Sequence, residues 1–205
     1  DTAMSHYRIG AILAYGGEHA PARRHLKEAL DVFEKVRGPE SEPVAMCLAD
    51  QALSFMYAGD PSSAIPLAER ALSISTKLFG EAHPNVALCL NNLGQALSSA
   101  GQNERALACL ERCVVVSERV FGRTHHFLGS ALHTLGELRR KMGDLDLARP
   151  PLERSHSIFE KELEPDHVEV ADPLYSLGMI DLARGDLASA QVRLRRALAI
   201  REHRL

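Results

Sequence analysis

The feature that most limits the fold is a recurrence of very small residues every 42 positions. Gly94, Gly136 and Gly178 share one phase, and Ala52 and Gly10 continue it toward the N-terminus. Gly17, Gly59, Gly101, Gly143 and Gly185 share a second phase, and Ala22, Ala64, Ala106, Ala148 and Ala190 a third. Three such phases, each filled five times, mean that one supersecondary unit is copied along the chain. A unit of this kind cannot bury its apolar face alone and must stack on its neighbours. The repeats fall at roughly 1–40, 41–82, 83–124, 125–166 and 167–205, which we read as a single repeat domain. The chain opens at Asp1 without an initiator methionine, so we read it as a fragment of a longer protein.

Each repeat reads as two helices. In the third, Leu90, Leu93, Gly94 and Leu97 fall at helical spacing, Gly101 breaks the pattern, and Ala106, Leu110, Cys113, Val114 and Val116 carry a second apolar face. Asp60, Asp144 and Asp186 each follow the breaker glycine, where a carboxylate can accept the unpaired N–H groups of a helix start. Pro61 stands at the first helical position, where a proline costs least. FGEAHP (Phe79–Pro84) and FGRTHH (Phe121–His126) end one helix and begin the next. A small residue on the first helix should let the second helix approach, with the contact received at the Ala106 position. Pro66, Pro150 and Pro151 lie beyond the first turn and predict a bend or early 3₁₀ character, most of all in the fourth repeat.

The series Leu90-x2-Leu93-Gly94-x2-Leu97…Ala106-x3-Leu110 resembles the tetratricopeptide pattern, with leucine in place of the usual aromatics. The common repeat has about 34 residues. The longer register here, with HPNVALCLNNLG (His83–Gly94) and AIPLAERALSI (Ala64–Ile74), is similar to the kinesin-light-chain type. The chain departs from that type in keeping an Asn-Asn pair only at Asn91-Asn92; Tyr7-Arg8, Ala49-Asp50, His133-Thr134 and Tyr175-Ser176 replace it elsewhere. The resemblance implies an all-α fold, a right-handed superhelical solenoid of about five helix pairs. It also implies a binding module whose concave face takes a peptide.

On the first helix of the third repeat, Leu88, Asn91, Gln95 and Ser98 form a stripe set well away from the apolar one. It is too polar for a core, so we expect it to face solvent. Stepping by 42 along this face gives the candidate partner-binding residues: Tyr7, Met46, Leu53, Met56, Asn91, Asn92, Gln95, His133, Glu137, Arg140, Tyr175 and Met179. Tyrosine and methionine make adaptable peptide contacts, and an amide both donates and accepts. Asn92 divides between groove contact and helix packing. We expect a peptide across repeats two to four, with Asn91 and Gln95 needed for binding and not for folding. A carboxylate clamp would need uncontested cations, but Arg8, Arg140 and Lys141 are interleaved with Asp50, Glu137 and Asp172.

Composition narrows the rest. A net charge of −3 gives no basic excess for nucleic acid or an anionic membrane, and the apolar runs are short for a bilayer. We expect protein or peptide partners, no nucleic acid, no membrane and a cytoplasmic setting. Cys47, Cys89, Cys109 and Cys113 form no CxxC pair and read as packing thiols. His83, His125 and His167 mark repeat boundaries and cannot share one site. No sequence matches HExxH, GxSxG, a P-loop or GxGxxG, so no catalytic residue, metal site or cofactor is assigned. The arginines at 193, 195, 196, 201 and 204 read as a solvated basic stretch. Two functions stay open: a peptide-binding scaffold, or an assembly or sensor segment of a larger signalling protein such as a signalling ATPase. At the C-terminus, Ile200 and Leu205 would lack a following repeat, which predicts fraying or self-association of the last helix.

Overall fold

The structure is a computed structural model and describes residues 2–203. Among these, ten α-helices follow one another: α1 (Thr2–Tyr15), α2 (His19–Arg37), α3 (Glu42–Tyr57), α4 (Pro61–Phe79), α5 (Pro84–Ser99), α6 (Asn103–Phe121), α7 (His126–Met142), α8 (Leu145–Glu162), α9 (Val168–Ala183) and α10 (Leu187–Glu202). They make five helix pairs, the all-α repeat solenoid that the 42-residue period predicts. The chain resolves into two compact units, Asp1–Val116 and Ser117–Leu205, with the boundary inside α6.

The small-residue phases act within each pair, mainly one turn beyond the expected position. A Cβ added at Gly94 would lie 2.6 Å from Cγ and Cδ2 of Leu110. At Gly136 it would lie 2.5 Å from Leu152, at Gly178 2.8 Å from Leu194, and at Gly10 2.7 Å from Leu26. The first-helix glycine therefore receives a leucine of the second helix, one turn beyond the Ala106 position, and at Gly10 and Gly136 it also meets the carbonyl oxygens of Ala22 and Ala148 in that position, at 3.1 and 3.2 Å. The second repeat shows the complementary exchange: Ala52 stands in the glycine phase, and Ala68 stands in the leucine phase. Ala22, Ala64, Ala106 and Ala148 are wholly buried, which leaves a larger side chain no space at that position either.

Local signals set the helix ends. The breaker glycines take positive φ, +74° at Gly101, a conformation that costs a side-chain-bearing residue energy. Asp60 and Asp186 accept from the N–H groups of Ser63 and Ser189 at 3.1 Å, each cap worth about 1 kcal/mol. Asp144 sits at the same station without a side-chain cap bond. The boundary histidines have a role of their own: Nδ1 of His83, His125 and His167 accepts from the backbone N–H two residues on, at 3.2, 3.1 and 3.3 Å. They cap α5, α7 and α9. The rings of His83 and His125 also stack on Phe79 and Phe121.

The 3₁₀ part of one sequence expectation and the premise of another fail here. Helix α8 stays α-helical through Pro150 and Pro151, with no 3₁₀ turn. Each proline lies beyond the first turn and removes one backbone bond, and the helix continues across both. Ile200 is 3% exposed and packs with Phe159, Val170, Ala171, Leu174 and Ala197, inside its own compact unit. Its face is covered by α8 and α9, so the argument for fraying or self-association falls; Leu205 lies outside the described residues.

Candidate functional site

In the first compact unit, Tyr7 on α1 and Met46, Leu53 and Met56 on α3 are all half-buried. Beside them lies a cavity of about 410 Å³ lined by Ala11, Ala14, Tyr15, Gly17, His19, Asp50, Leu53 and Tyr57. Tyr15 and Tyr57 hold equivalent stations in consecutive repeats and are 88% and 64% exposed. His19 stacks on Tyr57 with ring centroids 5.9 Å apart. Asp50 is mostly buried and accepts a hydrogen bond from the Tyr7 hydroxyl. Burial raises the pKa of its carboxyl, and the tyrosine bond offsets this only in part. Burial and then the Asp50 charge push the Cys47 thiol up to about 12, and both raise the Tyr7 phenol.

The amide part of this face differs from expectation. Asn91 is 8% exposed and Asn92 5%, so neither faces solvent. The Asn91 phase lies where one first helix packs on the next, as α3 does on α5, so a polar residue there is covered. Ala49, in the same phase, is also buried. Oδ1 of Asn91 and Nδ2 of Asn92 are buried without a hydrogen-bond partner. Gln95 and Leu88 keep the accessible amide and apolar positions of α5.

The second compact unit carries a more charged face. Glu137 and Arg140 form a fork, with Arg140 Nε and Nη2 donating at 2.8 and 3.1 Å. Burial works to raise the Glu137 pKa, but the bonds from Arg140 and Ser176 outweigh it and hold it low. His133 is half-buried, and burial lowers its pKa. Its Nε2 lies 3.4 Å from Ser176 Oγ. Arg201 stacks over Tyr175, 5.3 Å from the ring centroid, and pairs with Asp172 at 3.0 Å. Met179 is half-buried nearby on α9.

The basic stretch on α10 is not merely solvated. Arg193 pairs with the buried Asp181, Arg196 with Glu160 at 2.9 Å, and Arg201 with Asp172; Arg204 lies outside the described residues. Asp181 also receives Arg149 at 2.5 Å. Second helices are tied across successive repeats by a recurring pair: Arg70 to Glu34 at 2.6 Å, Arg154 to Glu118 at 3.1 Å, and Arg196 to Glu160. The 36-residue offset of these pairs is visible in the sequence once the period is known.

One cluster was not legible in the spacing. His6 on α1 meets His25 and Glu28 on α2, with Nδ1 to Nδ1 at 3.0 Å and Nδ1 to Oε2 at 2.7 Å. The three potential ligand atoms all lie within 4.8 Å of one another, a donor set that suits a borderline divalent cation such as zinc. The sequence spacing assigns no metal site to the boundary histidines or the cysteines, and His6, His25 and Glu28 come together only through the packing of α1 on α2. No disulfide joins the four cysteines. Among the described residues, no helix is long and apolar enough to cross a membrane.

Comparison with known proteins agrees with this geometry. The tetratricopeptide repeat profile matches residues 1–77, 50–117, 99–161 and 127–203. Among curated protein sequences none matches this chain. The nearly identical TPR-like repeats of a kinesin-light-chain protein from Podosopora anserina superpose with a TM-score of 0.78 at 21% identity, covering 97% of this chain and 94% of that one. BtubC (BKLC) from P. vanneervenii gives 0.81 at 23% identity, covering 95% and 77%. A Rap protein complexed with competence and sporulation factor gives 0.80 at 19% identity, covering 95% of this chain and 52% of that one. At these identities the likeness speaks for the fold. With the profile matched over successive repeats and the helix pairs folded as that profile requires, the chain belongs to the tetratricopeptide repeat family.

Proposed function

We propose that this chain is a non-enzymatic interaction scaffold that binds a polypeptide segment of a partner protein on the exposed faces of its first helices. The observation that carries this reading is the face of α1 and α3. There Leu53 and Tyr57, with Tyr15 and His19, line an open cavity, and Tyr7, Met46 and Met56 are half-buried on the same two helices. Partly exposed aromatic and methionine side chains around a concavity are what a bound segment can desolvate. Gln95 adds an accessible amide on α5. In the second compact unit, His133, Glu137, Arg140, Tyr175 and Met179 would form a separate, more polar contact face. The fold is shared with the Rap protein complexed with competence and sporulation factor, which supports a binding role over a catalytic one. The reading places the chain in the cytoplasm, with its cysteines as thiols.

The test begins with the chain as bait, identification of captured proteins, and calorimetric titration of a purified partner. Tyr57→Ala with Gln95→Ala should weaken binding at least about tenfold, because both side chains are accessible and their loss removes contact area and an amide bond. Val115→Ala on the outer surface of α6 should leave affinity unchanged. Loss of binding in the Val115 variant alone, with the double variant at wild-type affinity, overturns the proposal.

A further inference from the structure

We propose that the cavity at α1 and α3 is an anchoring pocket for an arginine side chain of a partner polypeptide, paired with the carboxylate of Asp50 and stacked on Tyr15 and Tyr57. The proposal deepens the interaction-scaffold reading and rests on it.

Asp50 is set apart by how this chain treats its other sequestered acids. Asp181 is met by Arg149 and Arg193, and Glu137 by Arg140. Asp50 has the Tyr7 hydroxyl, and among the described residues no cation forms an ion pair with it. An anion withdrawn from water without a countercharge is costly, and such a group lining a cleft is a candidate functional site. The field of Asp50 reaches Tyr7, Cys47 and Cys89, and it raises all three pKa values, with burial the larger cause in each. A guanidinium entering the cavity would supply the missing charge.

The walls suit that head group. Tyr15 and Tyr57 are heavily exposed for aromatic side chains, and both line the cavity. A cation over an aromatic face gains most when water is displaced, and a planar guanidinium both stacks and forks to a carboxylate, which an ammonium does not. The protein assembles the same trio within itself, where Arg201 lies over Tyr175 and pairs with Asp172. It also places Arg23 over Phe55 at 4.7 Å. A volume of about 410 Å³ admits one long side chain with its stem. The same negative wall would reject acidic side chains.

The experiment is an NMR titration of the intact chain with capped Gly-Arg-Gly, against capped Gly-Lys-Gly and the isosteric, uncharged Gly-citrulline-Gly. Binding of the arginine peptide in the millimolar range should shift the amides of Ala14, Asp50, Leu53 and Tyr57, with the lysine peptide several-fold weaker and the citrulline peptide not saturating. Asp50→Asn, nearly isosteric, should weaken the arginine peptide at least about tenfold, as loss of a charge-assisted bond does. Tyr57→Ala tests the wall without touching the buried carboxylate and should weaken it about threefold or more. Circular dichroism of each variant monitors folding. Equal binding of arginine and citrulline peptides, equal binding of arginine and lysine peptides, or wild-type affinity in both variants overturns the arginine pocket. If a partner purified through the scaffold test loses affinity with Tyr57→Ala and Gln95→Ala but not with Asp50→Asn, the scaffold stands and the arginine anchor falls. Arginine-peptide binding at these residues, with no partner sensitive to the face, leaves the pocket and removes the scaffold reading.

Discussion

Adding one methyl group at Gly94 should separate the two helices of the third repeat. The new Cβ would lie 2.6 Å from both Cγ and Cδ2 of Leu110, about 1 Å inside the distance at which carbon atoms attract. Cγ is the branch point of the leucine and moves only by a χ1 change that shifts the whole side chain, and Leu110 is wholly buried. Overpacking of this kind costs about 1–3 kcal/mol. Replacing a helical glycine by alanine returns about 0.5–1 kcal/mol of propensity. Gly94→Ala should therefore destabilise by about 1–2 kcal/mol and lower the melting temperature by roughly 2–8 °C. Leu110→Ala alone should cost about 2–5 kcal/mol through lost burial and a cavity. The double variant recreates the Ala52 and Ala68 pairing of the second repeat. In it the added methyl partly fills the void, so it should be more stable than Leu110→Ala alone, with a favourable coupling of about 1–2 kcal/mol. Urea unfolding followed by far-UV circular dichroism, on wild type and three variants, measures that coupling. Additive effects, or a Gly94→Ala protein more stable than wild type, would refute the close-contact account and leave helix propensity as the governing term.

Three further outcomes follow from other sites. His125→Ala should cost about 0.5–2 kcal/mol because it removes the acceptor that caps α7, while His125→Asn keeps an acceptor and should cost less; thermal melts compare them. Burial holds the His133 pKa below 6.5 despite Asp172, Glu137 and Glu169, so the folded state prefers the neutral ring. Its stabilisation is complete above about pH 6.5 and is lost as pH falls below that value, so His133→Gln should flatten the acid side of the stability profile measured by urea titration. Burial and the Asp50 charge push the Cys47 thiol up to about 12, whereas Cys109 is only half-buried. A thiol reagent at about pH 8 should therefore modify Cys109 first and Cys47 only on unfolding, with mass spectrometry to locate the label; rapid native labelling of Cys47 would contradict its burial.

The repeat, the helix pairs and most helix ends were determined by the sequence alone, because each rests on local physics. A 42-residue recurrence of small residues needs no coordinates to be seen, and Gly101, Asp60 and Pro61 act through backbone conformation and hydrogen bonds within a few residues. Periodicity also located Tyr7, Leu53 and Met56 on an accessible side. What it could not decide was how far each neighbour covers that side. Polarity placed Asn91 in solvent, but packing of successive first helices buried it, since burial is a property of the neighbouring helix and not of the residue. The glycine contact likewise falls mainly on the leucine at the Leu110 position, one helical turn beyond Ala106, a choice that depends on how the two helices cross. Asp50 reads in sequence as an ordinary polar residue in an asparagine phase. Only the tertiary structure withdraws its carboxylate from water beside Tyr15 and Tyr57 and leaves it, among the described residues, without a cation, because charge balance is settled between helices and not along the chain.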